Sequence, residues 1–362
     1  MVMEARRIAG LDVLRGLAAI AVMLHHHGEY YDELYQGRTR LFVNLHAGHF
    51  GVELFFIISG FVILMTIERR ATVRDFAVSR FSRLFPPFVA ALLLTTAILI
   101  FWPMPPLQMP TPLQFLANLT MAAELFGQSN VDLPYWTLTY EVVFYGFMAC
   151  VLALGLLRRV EWLGLLAIAI GLAFLAFVDV KLHRRTSILL LAGYSNFFLI
   201  GMCLYRIHMR EARPITWIAL AIAIAVTALG GGERAFNASG LLYFILTVCF
   251  AALVWFMTEP QGNRFAVPPL VFLGRISYPL YLVHVGLGFP LIRWLTASGW
   301  STPASTIAAG LASIAAATVL HYTVENPAER WLRTRLAKRQ IAAASTTPSA
   351  LPPLPAPAQP GE

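Results

Sequence analysis

The stretch LDVLRGLAAIAVMLHH, Leu11 to His26, decides the fold. It is apolar enough to begin a membrane-spanning helix, yet it holds Asp12 and Arg15 and ends in a histidine triplet, His25 to His27. A bilayer core of about 30 Å takes roughly 20 apolar residues per helix. A charge at its centre costs at least about 2.5–3.5 kcal/mol on insertion scales, so each ionisable group kept there points to function. A secretory signal peptide is not expected although Arg6 and Arg7 precede the apolar run, because Asp12 and Arg15 interrupt it and no small-residue cleavage pattern follows.

Helical geometry orders these groups. At 100° per residue, Arg15 and His26 differ by about 20° around the axis and stack on one face roughly 16 Å apart, with Asp12 at i−3 and the small Ala19 and Val22 between. A guanidinium there suits a phosphate or carboxylate of a ligand, and it equally suits a structural ion pair with Asp12. The imidazole of His26 suits proton transfer near neutral pH. His25 and His27 point elsewhere and read as interfacial groups at a helix end.

Outward from this segment the same apolar length recurs. Ten segments qualify, at about 8–28, 49–67, 86–103, 136–157, 161–179, 187–205, 214–231, 238–258, 270–292 and 302–324. With 58% hydrophobic and 13% charged residues, against about 25% charged in soluble domains, the chain reads as an all-α, polytopic membrane bundle. Its net charge of +8 does not argue for a nucleic-acid partner. With the N-terminus inside, nineteen of the 27 Lys and Arg fall on cytoplasmic loops, which favours both termini in the cytoplasm. One outer loop, carrying Lys181, Arg184 and Arg185, runs against that bias. Cys150, Cys203 and Cys249 lie singly in apolar runs and suggest neither a disulfide framework nor a metal site.

Two stretches are not expected to span. Residues 104–135 lack Lys and Arg and open with Pro103, Pro105, Pro106 and Pro110, which suits a segment lying on or dipping into the outer face. The Pro- and Ala-rich residues 341–362 read as a disordered cytoplasmic tail after a transmembrane domain over 1–340. No solenoid repeat or Walker-type loop is present.

The remaining intramembrane ionisable groups are few. Glu53 opens the second span, Glu141 sits in the fourth and His284 in the ninth, where Tyr278, Tyr281 and His284 succeed one another at i+3 spacing. Arg80 and Arg83 lie in the most basic short loop of the chain.

Several of these residues fall in blocks that resemble the membrane-bound acyltransferase 3 family. Leu11–His26 is similar to its Arg-x10-His signature, FGVELFFIISGFVI (Phe50–Ile63) to its second-span block, and RFSRLFPPF (Arg80–Phe88) to its Arg-x-x-Arg segment. YWTLTYEVVFY (Tyr135–Tyr145), GRISYPLYLVH (Gly274–His284) and VENP (Val324–Pro327) resemble later blocks in the family order. Three departures stand out: Glu53 where Asp is commoner, Glu141 followed by Val142 rather than a second Glu, and a histidine triplet that leaves the register open by one.

The resemblance implies O-acyl transfer, usually of acetyl, from acyl-coenzyme A on the cytoplasmic side to an exopolysaccharide, lipopolysaccharide or lipid-linked sugar hydroxyl. It implies a bacterial inner membrane and no metal. Within it, Arg80 and Arg83 would hold the phosphates of acetyl-CoA and Arg15 the donor deeper in. His26 would act as general base or accept the acyl group itself. Either Glu53 or Glu141 would orient His26, and Tyr281 and His284 would line the same donor cavity. The rival reading is a secondary transporter or flippase using Arg15, His26, Glu53 and Glu141 as a substrate or proton path.

Overall fold

A computed structural model describes residues 8–35, 46–69, 72–180, 182–229, 239–331 and 334–335. Ten principal helices succeed one another: α1 Ala9–His25, α2 Gly51–Glu68, α3 Val73–Phe101, α4 Trp136–Ala153, α5 Val160–Phe177, α6 Ser195–His208, α7 Pro214–Ala225, α8 Gly240–Thr258, α9 Pro268–Ala297 and α10 Thr302–Leu320. With no strand among the described residues, the protein is an all-α, multi-pass membrane bundle. Among the described residues, eight helical stretches are long and apolar enough to cross a membrane. The two expected spans at 187–205 and 214–231 are shorter. The first is interrupted where Leu191 and Gly193 take left-handed backbone angles, φ 50° and 81°, which separates Arg184–Leu189 from α6. The second is helical over Pro214–Leu229.

Helix α3 starts thirteen residues before its expected span. Arg80 and Arg83 therefore stand on its first turns, one turn apart on one face, and not in a loop. Pro86 and Pro87 do not stop the helix. The prolines leave the Ser82 and Arg83 carbonyls without their helical donors, and the next carbonyl, Leu84, accepts from the Tyr278 hydroxyl at 3.0 Å, which ties α3 to α9.

Glycines set the closest crossings. A Cβ on Gly274 would lie 2.0 Å from the Asp12 carbonyl oxygen, and one on Gly16 2.7 Å from the Gly274 nitrogen, so α1 and α9 touch through backbone. Gly60 and Gly201 do the same for α2 and α6, against the carbonyls of Phe198 and Ile57. One apolar cluster joins α2, α4 and α6, with Phe144 stacked on Phe198 at 4.0 Å; another joins α3, α9 and α10. Helix α1 contributes to both, its first half to one and its second half to the other.

Ion pairs tie the connections on each side. Arg206, at the end of α6, meets Glu68 at the end of α2 at 2.6 Å and Glu211 at 2.9 Å. Arg213 reaches the buried Glu161 at 2.9 Å. On the opposite side Arg184 pairs with Glu124 of the 104–135 segment at 2.7 Å. That contact gives the loop that runs against the charge bias a local partner: its arginine neutralises a carboxylate of the 104–135 segment. Residues 104–135 lie against the bundle end, with Leu113 and Phe126 outward and Met104 and Leu107 buried. The expected tail, residues 341–362, and the loop arginines Arg38, Arg40 and Arg234 fall outside the described residues.

Candidate active site

Where the two apolar clusters meet, a cavity of about 750 Å³, its open mouth included, cuts between α1, α2, α3, α4 and α9. Arg15, Arg80 and Arg83 converge on it, facing Glu141. Tyr278 and Tyr281 form its α9 wall. Six of the residues singled out in the sequence, Arg15, Arg80, Arg83, Glu141, Tyr278 and Tyr281, thus share one space although they come from four helices.

Three arginines and one carboxylate, Glu141, stand on its wall. Arg15 lies within electrostatic range of Arg83, Asp12, Glu141 and Tyr145. Glu141 accepts from the Ser59 hydroxyl at 3.2 Å and from the Tyr145 hydroxyl, one helical turn on. Arg83 is also within range of Glu325 and Glu329. Glu325 holds His321 Nδ1 at 2.7 Å in a π-helical turn after α10, so the VENP block closes the bundle behind the arginines. Three guanidinium groups face one carboxylate on the wall itself, with Asp12, Glu325 and Glu329 in range behind them, a donor set that suits an anionic ligand.

The histidines form a separate constellation towards the other end of α1. There the helix passes into a π-helical turn, His26–Tyr30, which changes the angular spacing of the triplet. His25 and His27 are buried, contrary to the expectation that they would meet water; His26 alone retains exposure. His25 packs on His49 with ring centroids 5.5 Å apart, and His27 Nε2 donates to the His284 carbonyl at 2.6 Å. A Cβ on Gly288 would lie 2.2 Å from that Nε2, so only glycine leaves room for the ring.

His26 Nδ1 lies 2.8 Å from His284 Nε2. His284 Nδ1 faces two carbonyl oxygens, Leu280 at 3.1 Å and Tyr281 at 2.9 Å, and two acceptors require the proton on that nitrogen. His284 Nε2 is then an acceptor, His26 Nδ1 donates to it, and the lone pair of neutral His26 is on Nε2. The hydrogen bond survives protonation of His26, because only Nε2 changes. This is the arrangement of a general base oriented by a second group, with a histidine in the place of the carboxylate.

Two expectations about position are corrected. Neither Glu53 nor Glu141 is hydrogen-bonded to His26 among the described residues: Glu141 is held in the arginine cavity, and His284 occupies the orienting position. His284 is accordingly not on the cavity wall; it touches that wall through Tyr281, ring centroids 5.7 Å apart. Glu53 is buried at 8% exposure, within electrostatic range of Tyr194, Tyr243 and Tyr281, and its Oε2 has no hydrogen-bond partner among the described residues.

Sequence reasoning passed over Tyr145, which closes the quoted fourth-span block, and Ser59, which reads as a packing residue. It also passed over Asp132, a fully buried carboxylate before α4. Asp132 accepts from Leu133 N–H at 2.8 Å, Gly286 N–H at 2.9 Å and the Thr95 hydroxyl at 3.4 Å. Its one sequence signal is a carboxylate without a local basic partner in a segment free of Lys and Arg.

Residues 8–322 match the family model described as an acyltransferase domain, and the chain belongs to that acyltransferase family. It is 27% identical over 380 residues to nodulation protein 10 of Rhizobium leguminosarum bv. viciae, covering 92% of this chain and 96% of that one. It is likewise 27% identical to the exopolysaccharide production protein ExoZ of Rhizobium meliloti, covering 80% of this chain and 92% of that one. BcsY of Komagataeibacter xylinus, whose name describes a membrane-bound transacylase, is 26% identical over 76% of this chain and 71% of its own. No solved structure is a significant match. The protein is therefore a membrane acyltransferase, and the transporter reading is set aside.

Proposed function

We propose that this acyltransferase moves an acetyl group from acetyl-coenzyme A, bound from the cytoplasmic side in the Arg15/Arg80/Arg83 cavity, to a carbohydrate hydroxyl presented from the other face of a bacterial inner membrane. The observation that carries the reading is the His26–His284 hydrogen bond with both Nδ1 protons accounted for, which leaves a lone pair on His26 Nε2. The relatives' names support the acceptor class, since one of them is an exopolysaccharide production protein. An exopolysaccharide, a lipopolysaccharide or a lipid-linked precursor sugar all offer the same hydroxyl chemistry. The excess of Lys and Arg on the loops at the cavity's end of the bundle supports the orientation, both termini inside.

In this reading Arg80 and Arg83, at the start of α3, take the phosphates of the donor, and Arg15 binds deeper in. Glu141 keeps Arg15 and the Tyr145 hydroxyl in place. The pantetheine arm runs along the α1 face past Tyr281 and brings the thioester to His26, which is separated from Arg15 by about 16 Å of helix. The acceptor oxygen bonds to the thioester carbonyl carbon as His26 Nε2 takes the hydroxyl proton. The carbon–sulfur bond then breaks as His26 Nε2 returns that proton to the leaving sulfur, so coenzyme A departs as the thiol and His26 is neutral again. A proton-accepting histidine of this kind contributes about 10²–10⁴-fold to rate.

The test is transfer of radiolabel from acetyl-coenzyme A in membranes holding wild type or His26→Ala at matched expression, with an envelope-saccharide extract as acceptor. The reading requires donor consumption by wild type and its loss in His26→Ala. Equal consumption by the two variants would remove His26 from the chemistry.

A further inference from the structure

A second cavity lies at the other end of the same two helices, where α3 runs out and α9 completes its last turns. It holds about 640 Å³ with its open mouth included, between Trp102 and Met104 on one side and Pro290, Arg293 and Trp294 on the other. Trp102 and Trp294 are each 55% exposed and stand at the ends of two spanning helices, α3 and α9, the positions that aromatic side chains favour at a membrane interface. Arg293 has no carboxylate partner among the described residues, whereas Arg184, Arg206 and Arg213 each have one. Its electrostatic neighbours are the hydroxyls of Tyr31 and Tyr35.

That tyrosine pair connects the groove to the histidines. The Tyr35 hydroxyl donates to the Met104 carbonyl on the groove wall at 3.4 Å. Tyr31 and Tyr35 meet Phe289 edge-on at 5.2 and 5.9 Å, and Phe289 lies 6.3 Å from the ring of His27. A single aromatic layer thus stands between the groove and the constellation that holds His26.

We propose that this groove is the acceptor subsite and that its occupant is a lipid-linked saccharide, bound through its phosphate by Arg293 and through its first sugar by Trp102 and Trp294. The inference rests on the acyl-transfer reading and adds the acceptor's class to it. Three features select the occupant. An unpaired guanidinium takes a phosphate in bidentate fashion. Aromatic faces at the interface accept the apolar face of a sugar while its hydroxyls stay wet. The groove opens among lipid-facing side chains, Phe101 with 73% of its surface exposed beside it, so the occupant arrives within the bilayer with its phosphate already at headgroup depth. Donor and acceptor then enter from opposite ends of α3 and α9 and meet at the histidines.

The test uses the full chain in nanodiscs of phosphatidylcholine and two radiolabelled probes with one disaccharide, a polyprenyl diphosphate-linked form and a neutral polyprenyl ether. Wild type should bind the diphosphate form more tightly, and Arg293→Gln should weaken that form by roughly tenfold to a hundredfold while leaving the ether unchanged. Trp294→Ala should weaken both probes, because it removes the sugar contact. Unchanged diphosphate binding by Arg293→Gln overturns the proposal. So does displacement of the probe by an equal amount of phosphatidylglycerol, which would make Arg293 a contact for ordinary headgroups only. Acetyl-coenzyme A consumption with a water-soluble saccharide is read in parallel: a wild type that binds the lipid but consumes no donor loses the acyl-transfer reading and keeps the groove.

Discussion

The Asp132 carboxylate accepts the backbone N–H of Gly286 at 2.9 Å, two residues beyond the histidine that meets His26. Tyr135, three residues after Asp132, donates its hydroxyl to the Leu282 carbonyl at 3.3 Å. The pair grips the α9 backbone on both sides of His284 and sets how far that ring projects towards α1. Asp132→Asn offers one acceptor oxygen to two N–H donors in a fully buried place, at a cost of about 1–3 kcal/mol. A lower Tm in detergent and a lower kcat are expected, with KM for acetyl-coenzyme A unchanged because the arginine cavity lies elsewhere. Wild-type kcat in Asp132→Asn would show that α9 is positioned without it.

If His284 acts through His26, as the proposed function has it, its loss should be graded by what replaces its acceptor nitrogen. In His284→Ala the His26 Nδ1 proton has no fixed acceptor, the tautomer is no longer selected, and kcat should fall towards the roughly 10²–10⁴-fold loss expected when a general base is removed. His284→Gln offers an amide oxygen to the same proton and should recover part of that loss. Equal rates for the two variants would mean that the His26–His284 hydrogen bond does not set the tautomer.

The bundle was legible in the sequence because apolar length is a local property, and eight of ten expected spans have it in continuous helices. The shortfall at α6 comes from Leu191 and Gly193, where two left-handed residues divide a run that hydropathy cannot divide. The one-face argument for Arg15 and His26 needs only α-helical geometry as far as His25, which α1 provides. Past that residue the regular 100° spacing ends, since the π-helical turn at His26 re-aims His27 onto His284. The partner of His26 was beyond reach for another reason: 258 residues separate the two rings, and a carboxylate and an imidazole serve equally well as the acceptor of the Nδ1 proton. Motif order brought His284 into the site, and only geometry gave it a partner.

The α1–α9 crossing predicts a sharp contrast between two glycines. At Gly274 an added Cβ would sit 2.0 Å from a backbone oxygen of Asp12, which cannot swing away as a side chain could. Gly274→Ala should therefore destabilise by about 1–3 kcal/mol, as overpacking does. At Gly146, inside α4, an added Cβ meets nothing within 4 Å, and Gly146→Ala should stabilise by roughly 0.5–1 kcal/mol through reduced backbone entropy. Thermal unfolding in one detergent compares them directly, and similar Tm values would contradict the close crossing.

Arg83 has the carboxylates Glu325 and Glu329 within its range, and the proposed function gives it the donor phosphates as well. If its work is to hold the donor, Arg83→Gln removes a charge-assisted bond to phosphate and should raise KM for acetyl-coenzyme A by about tenfold or more. The same variant should leave KM for acetyl-pantetheine, which carries no phosphate, as it is in wild type. If Arg83 serves only to tie α3 to the end of α10, its loss loosens the cavity and both donors suffer alike. The ratio of the two KM changes separates the cases, because a packing defect is blind to the phosphates and a binding defect is not. Arg80, one turn earlier on the same face, should behave as Arg83 does, and the double variant should discriminate between the donors no better than the unbound pantetheine arm allows.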